Sequence, residues 1–395
     1  MTMIASDKYN IANVSWGDHV VFGEGDGLLH KVDSLERRMD SWRYELNTGI
    51  IHWRQMRSGK DDVYRAAPGF GRKKRRIYPT FGWDEFEMVP KLAHERSMEA
   101  FCYFSLLDHG TPLREKSVRE RSHHNPQHGR NFSRMSRLTN EHPEYLMQDR
   151  DGNPHWGVVC LAYPEVRQHM IDLYTSIIDG YSWDGIFVCL RSQSRPADYA
   201  DQYGFNEPVR KEFLERYGKD ILREEFDVQA WRDLHGEYVT TFFRELSAVL
   251  KPLGLKLAVG CARGEVLGPP LSNATLQWRT WLQEGIVDDL VIDQSSSQCP
   301  SLWIQLWPMH RGYGYTQNYL DGWNMASLED DLAENYKPIV ENSDSRLFLS
   351  RQWNQRDGAK EASLLSRAEV SGLAFSAFRH DNPGPVARDT WLVPE

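Results

Sequence analysis

Residues 185–191 read GIFVCLR, a mainly apolar run that ends in an arginine. A run of this length between turn residues is typical of a strand that is buried on both faces. The segment before it has a helical period, in which apolar residues recur every three or four positions. These residues are Val166, Met170, Leu173, Tyr174, Ile177 and Tyr181. A helix that leads directly into a buried strand indicates a parallel sheet crossed by helices.

The same alternation of strand and helix runs through the whole chain. We predict eight strands, at residues 19–23, 49–53, 100–107, 185–190, 256–260, 290–293, 346–350 and 372–377. Eight strands separated by helices predict the α/β class and a closed (β/α)8 barrel, the TIM-barrel fold. Residues 1–395 are expected to form a single domain of this kind.

Two segments do not fit a regular barrel. Only residues 382–395 follow the last strand, so we expect an incomplete eighth helix, with residues 1–17 covering the gap. Residues 110–156, after the third strand, are long for a single loop. They are expected to fold over the barrel mouth or to form a small subdomain.

Composition excludes several classes of protein. The net charge of −9 argues against a nucleic-acid or anionic-membrane binder, because such proteins usually carry a basic excess. The five cysteines are scattered through apolar runs, which favours reduced core thiols over disulfides or a metal site. No zinc-binding pattern is present, and the glycine run at residues 23–27 does not fit a dinucleotide-binding loop. We therefore expect no metal and no cofactor.

The N-terminal residues do not form a signal peptide, and no apolar run approaches the ~18 residues of a membrane span. We expect a cytoplasmic protein, or a periplasmic or secreted one if an export signal was trimmed. A homo-oligomer remains open.

Arginines follow five of the eight predicted strands. They are Arg54, Arg191, Arg263, Arg351 and Arg379. The carboxyl ends of barrel strands meet at one rim, where guanidinium groups repel one another unless an anion lies among them. We predict that the last four of these arginines bind a carboxylate or sulfate group of a substrate.

Carboxylates occur near the same strand ends. Glu265 follows the fifth strand by five residues, and Asp293 closes the sixth. A pair of carboxylates suits glycoside cleavage, in which one protonates the leaving oxygen and the other is the nucleophile or base, at about 5 or 6.5–9.5 Å. We predict this pair as catalytic, with Glu24, Asp108 and Asp381 as alternatives. The competing interpretation is that Asp293 caps a turn and Glu265 is a solvated loop residue.

Aromatic and amide side chains complete the predicted site. Rings cluster after the sixth strand, at Trp303, Trp307, Tyr313, Tyr315, Tyr319 and Trp323. Flat rings with nearby amides suit sugar binding, although they also occur as plain packing. The further predicted substrate contacts are Asp108, His109, Gln294, Trp353 and His380. The alternative for each histidine is a hydrogen bond to loop backbone.

Four short motifs occur in order in the middle of the chain: HPEY at 142–145, DRDG at 149–152, YPEVR at 163–167 and YSWDGI at 181–186. Together they resemble the bacterial glycosyl-hydrolase-like family 10 barrels, over residues 141–218. The resemblance implies a TIM-barrel glycosidase-type protein. Where that family commonly continues DGIHLD, this chain has Cys189 in place of the acid and Arg191 after it. A catalytic carboxylate on the fourth strand therefore cannot be carried over.

These patterns favour a glycoside hydrolase that acts on a carboxylated or sulfated oligosaccharide, exo-acting if the protein is intracellular. One alternative is a lyase that removes the proton α to a uronate carboxylate, with His or Tyr as the base. The other is a non-catalytic barrel that only binds carbohydrate, because the expected acid on the fourth strand is missing.

Overall fold

The computed structural model describes residues 8–15, 32–55, 83–107, 109, 136–190, 202–261, 263, 274–292, 327–353 and 356–376. The barrel strands are β1 (Asn10–Val14), β2 (Thr48–Arg54), β3 (Glu99–Ser105), β6 (Gly185–Cys189), β7 (Lys256–Gly260), β8 (Asp289–Ile292), β9 (Arg346–Gln352) and β10 (Gly372–Ser376). The strands β4 (Leu146–Gln148) and β5 (Pro154–Val159) form a separate antiparallel hairpin.

The helices are α1 (Val32–Glu45), α2 (Glu85–His94), α3 (Arg137–Glu141), α4 (Pro164–Ile178), α5 (Glu207–Tyr217), α6 (Val228–Leu250), α7 (Trp278–Gln283), α8 (Leu328–Asp331), α9 (Lys337–Val340) and α10 (Gly358–Leu365). Single 3₁₀ turns cover Pro143–Tyr145 and Lys251–Leu253, and a π-helical turn, Leu332–Tyr336, joins α8 to α9. Aspartates cap α2, α6 and α10, since Asp84, Asp227 and Asp357 each accept two backbone N–H groups of the first turn.

The eight barrel strands form a closed ring in the order β1, β10, β9, β8, β7, β6, β3, β2, and every neighbouring pair is parallel. The predicted (β/α)8 barrel is thus confirmed. Seven of the predicted strands agree with the observed ones to within two residues at either end.

The first strand was predicted wrongly. The strand that closes the barrel between β2 and β10 is Asn10–Val14, not residues 19–23, which lie outside the described residues. Asn10 belongs in a strand because its side chain completes the backbone pairing. Its Oδ1 accepts from the Leu373 N–H at 3.0 Å and its Nδ2 donates to the Leu46 carbonyl at 2.6 Å.

Charged side chains occupy the amino-terminal end of the barrel interior. The Arg346 guanidinium donates to Asp289 at 2.5 and 2.7 Å, to Glu99 at 3.0 Å and to the Tyr9 hydroxyl, and Lys256 bonds Glu99 as well. Burial raises the pKa of Asp289. Burial alone would also raise the pKa of Glu99, but the hydrogen bond from Lys256 and the charge of Arg346 outweigh it, so that pKa is lowered. We call these five residues the charged floor.

Above the charged floor lies an apolar layer inside the barrel. Its members are Ile11, Ile50, Phe101, Phe187, Ala258, Val291, Phe348 and Ala374. The alternate residues of each strand point outward and pack against the helices, as Ile51 and Trp53 do on β2. The described cysteines Cys102, Cys160, Cys189 and Cys261 are buried thiols, as predicted.

The hairpin follows β3 in the chain and is bonded by the backbone N–H groups of Gly204 and Phe205, which donate to the Gln148 carbonyl, and by the buried side chain of Asn206. Its Oδ1 accepts from the Gln148 N–H at 3.1 Å, and its Nδ2 donates to the carbonyls of Leu146 at 2.7 Å and Glu144 at 3.2 Å. Of the predicted insertion 110–156, residues 110–135 lie outside the described residues. None of the described helices is both long and apolar enough to cross a membrane.

Candidate functional site

The carboxyl-terminal half of the barrel interior is polar. Besides Cys189, the register partner of Ser105, the inward-facing polar positions there, read from the strand alternation, are Asn13, His52, Arg54, Tyr103, Ser105, Ser350 and Ser376. We call these seven residues the upper layer. Barrel enzymes carry out their chemistry at the carboxyl ends of the strands, so the upper layer lies at the candidate active site.

His52 is fully buried within the upper layer. Its ring stacks on Phe187, with the centroids 4.0 Å apart, and meets the edge of Phe101 at 5.6 Å. Neither ring nitrogen has a hydrogen-bond partner within the described part of the chain. Burial first, and then the charge of Arg346, lower the pKa of His52 well below its ordinary value. The imidazole is therefore neutral at pH 7.

Asn13 lies next to His52, because the two residues are register partners on β1 and β2. Asn13 is 1% exposed, and its Oδ1 has no hydrogen-bond partner among the described residues. Buried polar atoms in folded proteins are nearly always hydrogen-bonded, and here two register partners both carry buried atoms without one.

Among the arginines that follow strands and lie within the described residues, Arg54 faces the barrel interior. Its guanidinium carbon lies 5.1 Å from the centre of the Tyr103 ring, in a cation–π arrangement. The side chain is largely buried and follows Ile50 and His52 on the inner side of β2. The strand-end arginine pattern therefore does place one positive charge at the mouth.

The predicted clamp residue Arg263 is held by an acid of the protein. Its Nη1 lies 3.2 Å from a carboxylate oxygen of Asp331, the last residue of α8, and 3.2 Å from the carbonyl of Ser327, which precedes α8. The Asp331 carboxylate thus occupies the guanidinium that was predicted to bind an anionic group of the substrate.

Arg351, also predicted in the clamp, alternates with the inward-facing Ser350. It leaves β9 on the same side as Leu347 and Leu349, which pack in the outer core, and its Nη1 donates to the Ser350 carbonyl at 2.6 Å. Trp353 is part of the same outer packing. Its ring meets the edge of Phe375 at 5.8 Å, and the Arg356 guanidinium lies over it at 4.9 Å.

His109 is buried and bonds loop atoms. Its ring nitrogens lie 3.0 Å from the Ser136 hydroxyl and 3.2 Å from the Leu106 carbonyl. Its backbone also bridges two segments, since its N–H donates to Gly157 and its carbonyl accepts from Ser136. The structure thus matches the alternative interpretation of this histidine, a hydrogen bond to its own loop.

The other predicted site residues lie outside the described residues. They are Glu265, Asp293, Arg191, Arg379, His380, Asp108, Gln294, Trp303 and Trp307, with the alternatives Glu24 and Asp381. Within the described part of the chain, no group of three or more His, Cys, Asp or Glu side chains could hold a metal ion.

Sequence reasoning missed Asn13 and His52, although a signal exists. His52 stands among apolar residues in Ile50-Ile51-His52-Trp53, and Asn13 stands between Ala12 and Val14. A polar residue within an apolar strand is a candidate for an inward-facing group when it lies two residues from another residue of the barrel interior.

Comparison with known proteins places the chain among glycosidase-type barrels. The sequence model of glycosyl hydrolase-like 10 matches residues 64–300. The glycoside hydrolase domain of PgaB (BpsB) from Bordetella bronchiseptica is similar in structure, with 11% identity, a TM-score of 0.52, and coverage of 96% of this chain and 97% of that one. At this identity the likeness shows the fold alone.

Two further solved structures are less similar. The maltogenic α-amylase AmyB from Thermotoga neapolitana has 12% identity, a TM-score of 0.44 and coverage of 95% of this chain and 68% of that one. The catalytic domain of β-amylase from Paenibacillus polymyxa has 10% identity, a TM-score of 0.46 and coverage of 94% and 93%. No curated protein matches the chain. Since the family match spans more than half of its length, the chain belongs to the glycosyl hydrolase-like 10 family.

Proposed function

We propose that this protein is a glycoside hydrolase whose substrate enters the barrel from the carboxyl-terminal mouth. One observation carries the proposal: the interior is charged and ion-paired at the floor, apolar above it, and polar in the upper layer, with Asn13, His52 and Arg54 facing inward. Polar groups that face inward at the mouth suit a ligand rich in hydroxyl groups. Membership of the glycosyl hydrolase-like family supports the same class of ligand.

The catalytic carboxylates remain a proposal. None of the described upper-layer residues is acidic, so the acid and the nucleophile or base must come from other positions. In the sequence, Asp293 directly follows Ile292, the last residue of β8. We assign the acid/base chemistry to Asp293 together with Glu265.

The substrate class that we propose is an acidic oligosaccharide. Arg54 supports it, because it places a guanidinium at the mouth. Arg191 and Arg379, which also follow barrel strands, are the proposed additional contacts. Arg263 contributes less to this proposal than its sequence position indicates, since Asp331 already neutralises it.

The test compares the full chain with the variants Asp293→Asn and Glu265→Gln on a panel of oligosaccharides, with reducing ends as the readout. Each variant should lose at least about 10²-fold in kcat, because removal of an acid/base group or nucleophile removes transition-state stabilisation. The matched control is Glu284→Gln, which changes an exposed acid paired with Arg244 and should leave turnover unchanged. Near-normal rates in both site variants would contradict the assignment.

The same panel tests the acidic substrate. Each sulfated or uronate-containing glycan is paired with its desulfated or carboxyl-reduced form. Loss of the anionic group should lower kcat/KM more than tenfold, as should Arg54→Lys, since an ammonium cannot form a bidentate contact. Equal rates on both members of a pair would overturn the acidic class. An unsaturated, ultraviolet-absorbing product would identify the lyase alternative, and binding without turnover would identify the non-catalytic barrel.

A further inference from the structure

We propose that an exposed aromatic surface beside the hairpin, formed by His142, Tyr145 and Tyr163, binds uncharged sugar residues of a glycan chain. We call these three residues the hairpin patch. The inference rests on the carbohydrate ligand of the proposed function and adds a binding site outside the barrel, which does not require turnover. The acidic group of the substrate then lies at the mouth, near Arg54.

The backbone around the start of β4 brings the three rings together. The 3₁₀ turn Pro143–Tyr145 is closed by the Tyr145 N–H, which donates to the His142 carbonyl at 3.1 Å. Residues three apart in such a turn lie one above the other, and the His142 and Tyr145 rings stack with centroids 5.0 Å apart and planes at 25°. The Tyr163 ring lies 5.0 Å from the Tyr145 ring, tilted by 52°. The three rings therefore form one continuous aromatic surface.

The hairpin patch is open to solvent. The His142 side chain is 49% exposed. Tyr145 and Tyr163 are partly exposed and also pack against the core, which holds their rings in place. A ligand can therefore reach the patch from solvent. The apolar C–H face of a pyranose suits packing on such rings, and its hydroxyl groups suit polar groups at their edges.

The hairpin lies at the carboxyl-terminal end of the barrel. Leu106 directly follows β3 and Leu190 directly follows β6, and both line one cavity together with Met147 of β4 and Val159 of β5. Because barrel enzymes bind their substrates at this end, the hairpin patch lies on the side of the molecule where a glycan chain leaves the mouth.

Carboxylates at the patch select the kind of sugar. Glu144 lies 3.0 Å from His142, and its side chain is 52% exposed. Burial first, and then the charges of Glu165 and Glu144, raise the pKa of Tyr145, which indicates that both carboxylates lie near its hydroxyl. Ionised carboxylates only accept hydrogen bonds. They therefore suit sugar hydroxyls, which can donate, and they repel sulfate and carboxylate groups.

The experiment measures how far the full chain is retarded in native gels that contain hydroxyethylcellulose, laminarin, starch, xylan or glycol chitin. The variants are His142→Ala, Tyr145→Ala and the two combined, and Tyr145→Phe keeps the ring. The matched control is Tyr44→Ala. Tyr44 is 75% exposed, and it lies at the amino-terminal end of the barrel because α1 ends at Glu45, shortly before β2 begins. Melting temperatures show whether each variant is folded.

Each alanine variant should bind at least about threefold more weakly to any polysaccharide that retards the wild type, and the combined variant at least about tenfold, because aromatic contacts are removed. Tyr145→Phe and Tyr44→Ala should stay within about 1.5-fold, since the patch keeps its rings. Carboxymethylcellulose should bind more weakly than hydroxyethylcellulose, because its anionic groups meet Glu144 and Glu165.

Unchanged affinity in both alanine variants would overturn the inference, and turnover of a glycan by the wild type would still support the proposed function. The same conclusion follows if the wild type turns over a glycan but none of the neutral polysaccharides retards it. Tighter binding of carboxymethylcellulose that the alanine variants lose would overturn the uncharged class. If no glycan is bound or turned over, both proposals fail. Tyr145 packs against the core, so if Tyr145→Ala does not fold, the exposed His142→Ala decides.

Discussion

Arg346 is the residue that links the members of the charged floor. It contacts Asp289, Glu99 and Tyr9, which come from three different parts of the chain. Asp289 is fully buried, so its carboxylate depends on Arg346 for its partner. A buried ion pair adds little net stability over apolar packing, but loss of one member leaves an uncompensated charge.

We therefore predict that Arg346→Met lowers the free energy of unfolding by about 3–5 kcal/mol, measured by urea denaturation. The control is Arg244→Met, because Arg244 and Glu284 form an exposed pair for which about 0–1 kcal/mol is expected. The double variant Arg346→Met with Asp289→Asn should recover part of the loss, since it removes the unpaired charge. A cost below about 1 kcal/mol for Arg346→Met would show that Asp289 does not depend on this arginine.

Single residues also show where sequence reasoning about the site reached its limit. The pattern of arginines after strands included Arg54, which faces inward, but the predicted clamp did not. It did not specify which side of the strand Arg351 leaves from, nor that an aspartate on α8 neutralises Arg263. Both depend on tertiary contacts with segments distant in sequence, which strand position alone does not encode.

At the level of secondary structure elements, the hairpin β4–β5 depends on Asn206, the residue that precedes α5. One buried side chain makes three hydrogen bonds to the backbone of residues 144–148, beside two backbone bonds from Gly204 and Phe205 to Gln148. The amide suits this position because its oxygen accepts and its nitrogen donates.

We predict that Asn206→Leu destabilises the protein by about 1–3 kcal/mol, because it leaves buried backbone groups of β4 unpaired. Hydrogen exchange should increase first at residues 144–148. Asn206→Asp should cost at least as much, since it keeps the acceptor for Gln148 but sets a buried carboxylate oxygen against the two carbonyls. The control is Asn153→Ala in the exposed hairpin turn, which should stay within about 0.5 kcal/mol. Unchanged exchange at 144–148 in Asn206→Leu would contradict the anchoring role.

Seven strands were predictable because both of their faces are largely buried, which produces mainly apolar runs. The strand β1 was not, since Asn10 and Asn13 interrupt its apolar pattern. Asn10 is satisfied by Leu373 and Leu46, contacts that a local pattern cannot reveal, while residues 19–23 offered a stronger apolar run.

For the molecule as a whole, β1 closes the barrel by joining β2 to β10. We predict that deletion of residues 1–15 opens the ring, exposes two strand edges and abolishes cooperative unfolding, as measured by circular dichroism and size-exclusion chromatography. Deletion of residues 1–7 is the control, because it keeps Lys8 and Tyr9, which bond the segment between α10 and β10. A cooperative, monodisperse protein without residues 1–15 would restore residues 19–23 as the first strand.

The charged floor limits how a polymeric substrate could pass through the barrel. A tunnel open at both ends lets a polymer thread through and lets products leave ahead of the advancing chain. In this barrel, ion pairs and an apolar layer fill the amino-terminal half of the interior, so the interior is closed at that end. A polymer therefore cannot thread along the barrel axis past this layer, and a hydrolase of this shape would have to bind and cleave its substrate at the carboxyl-terminal end.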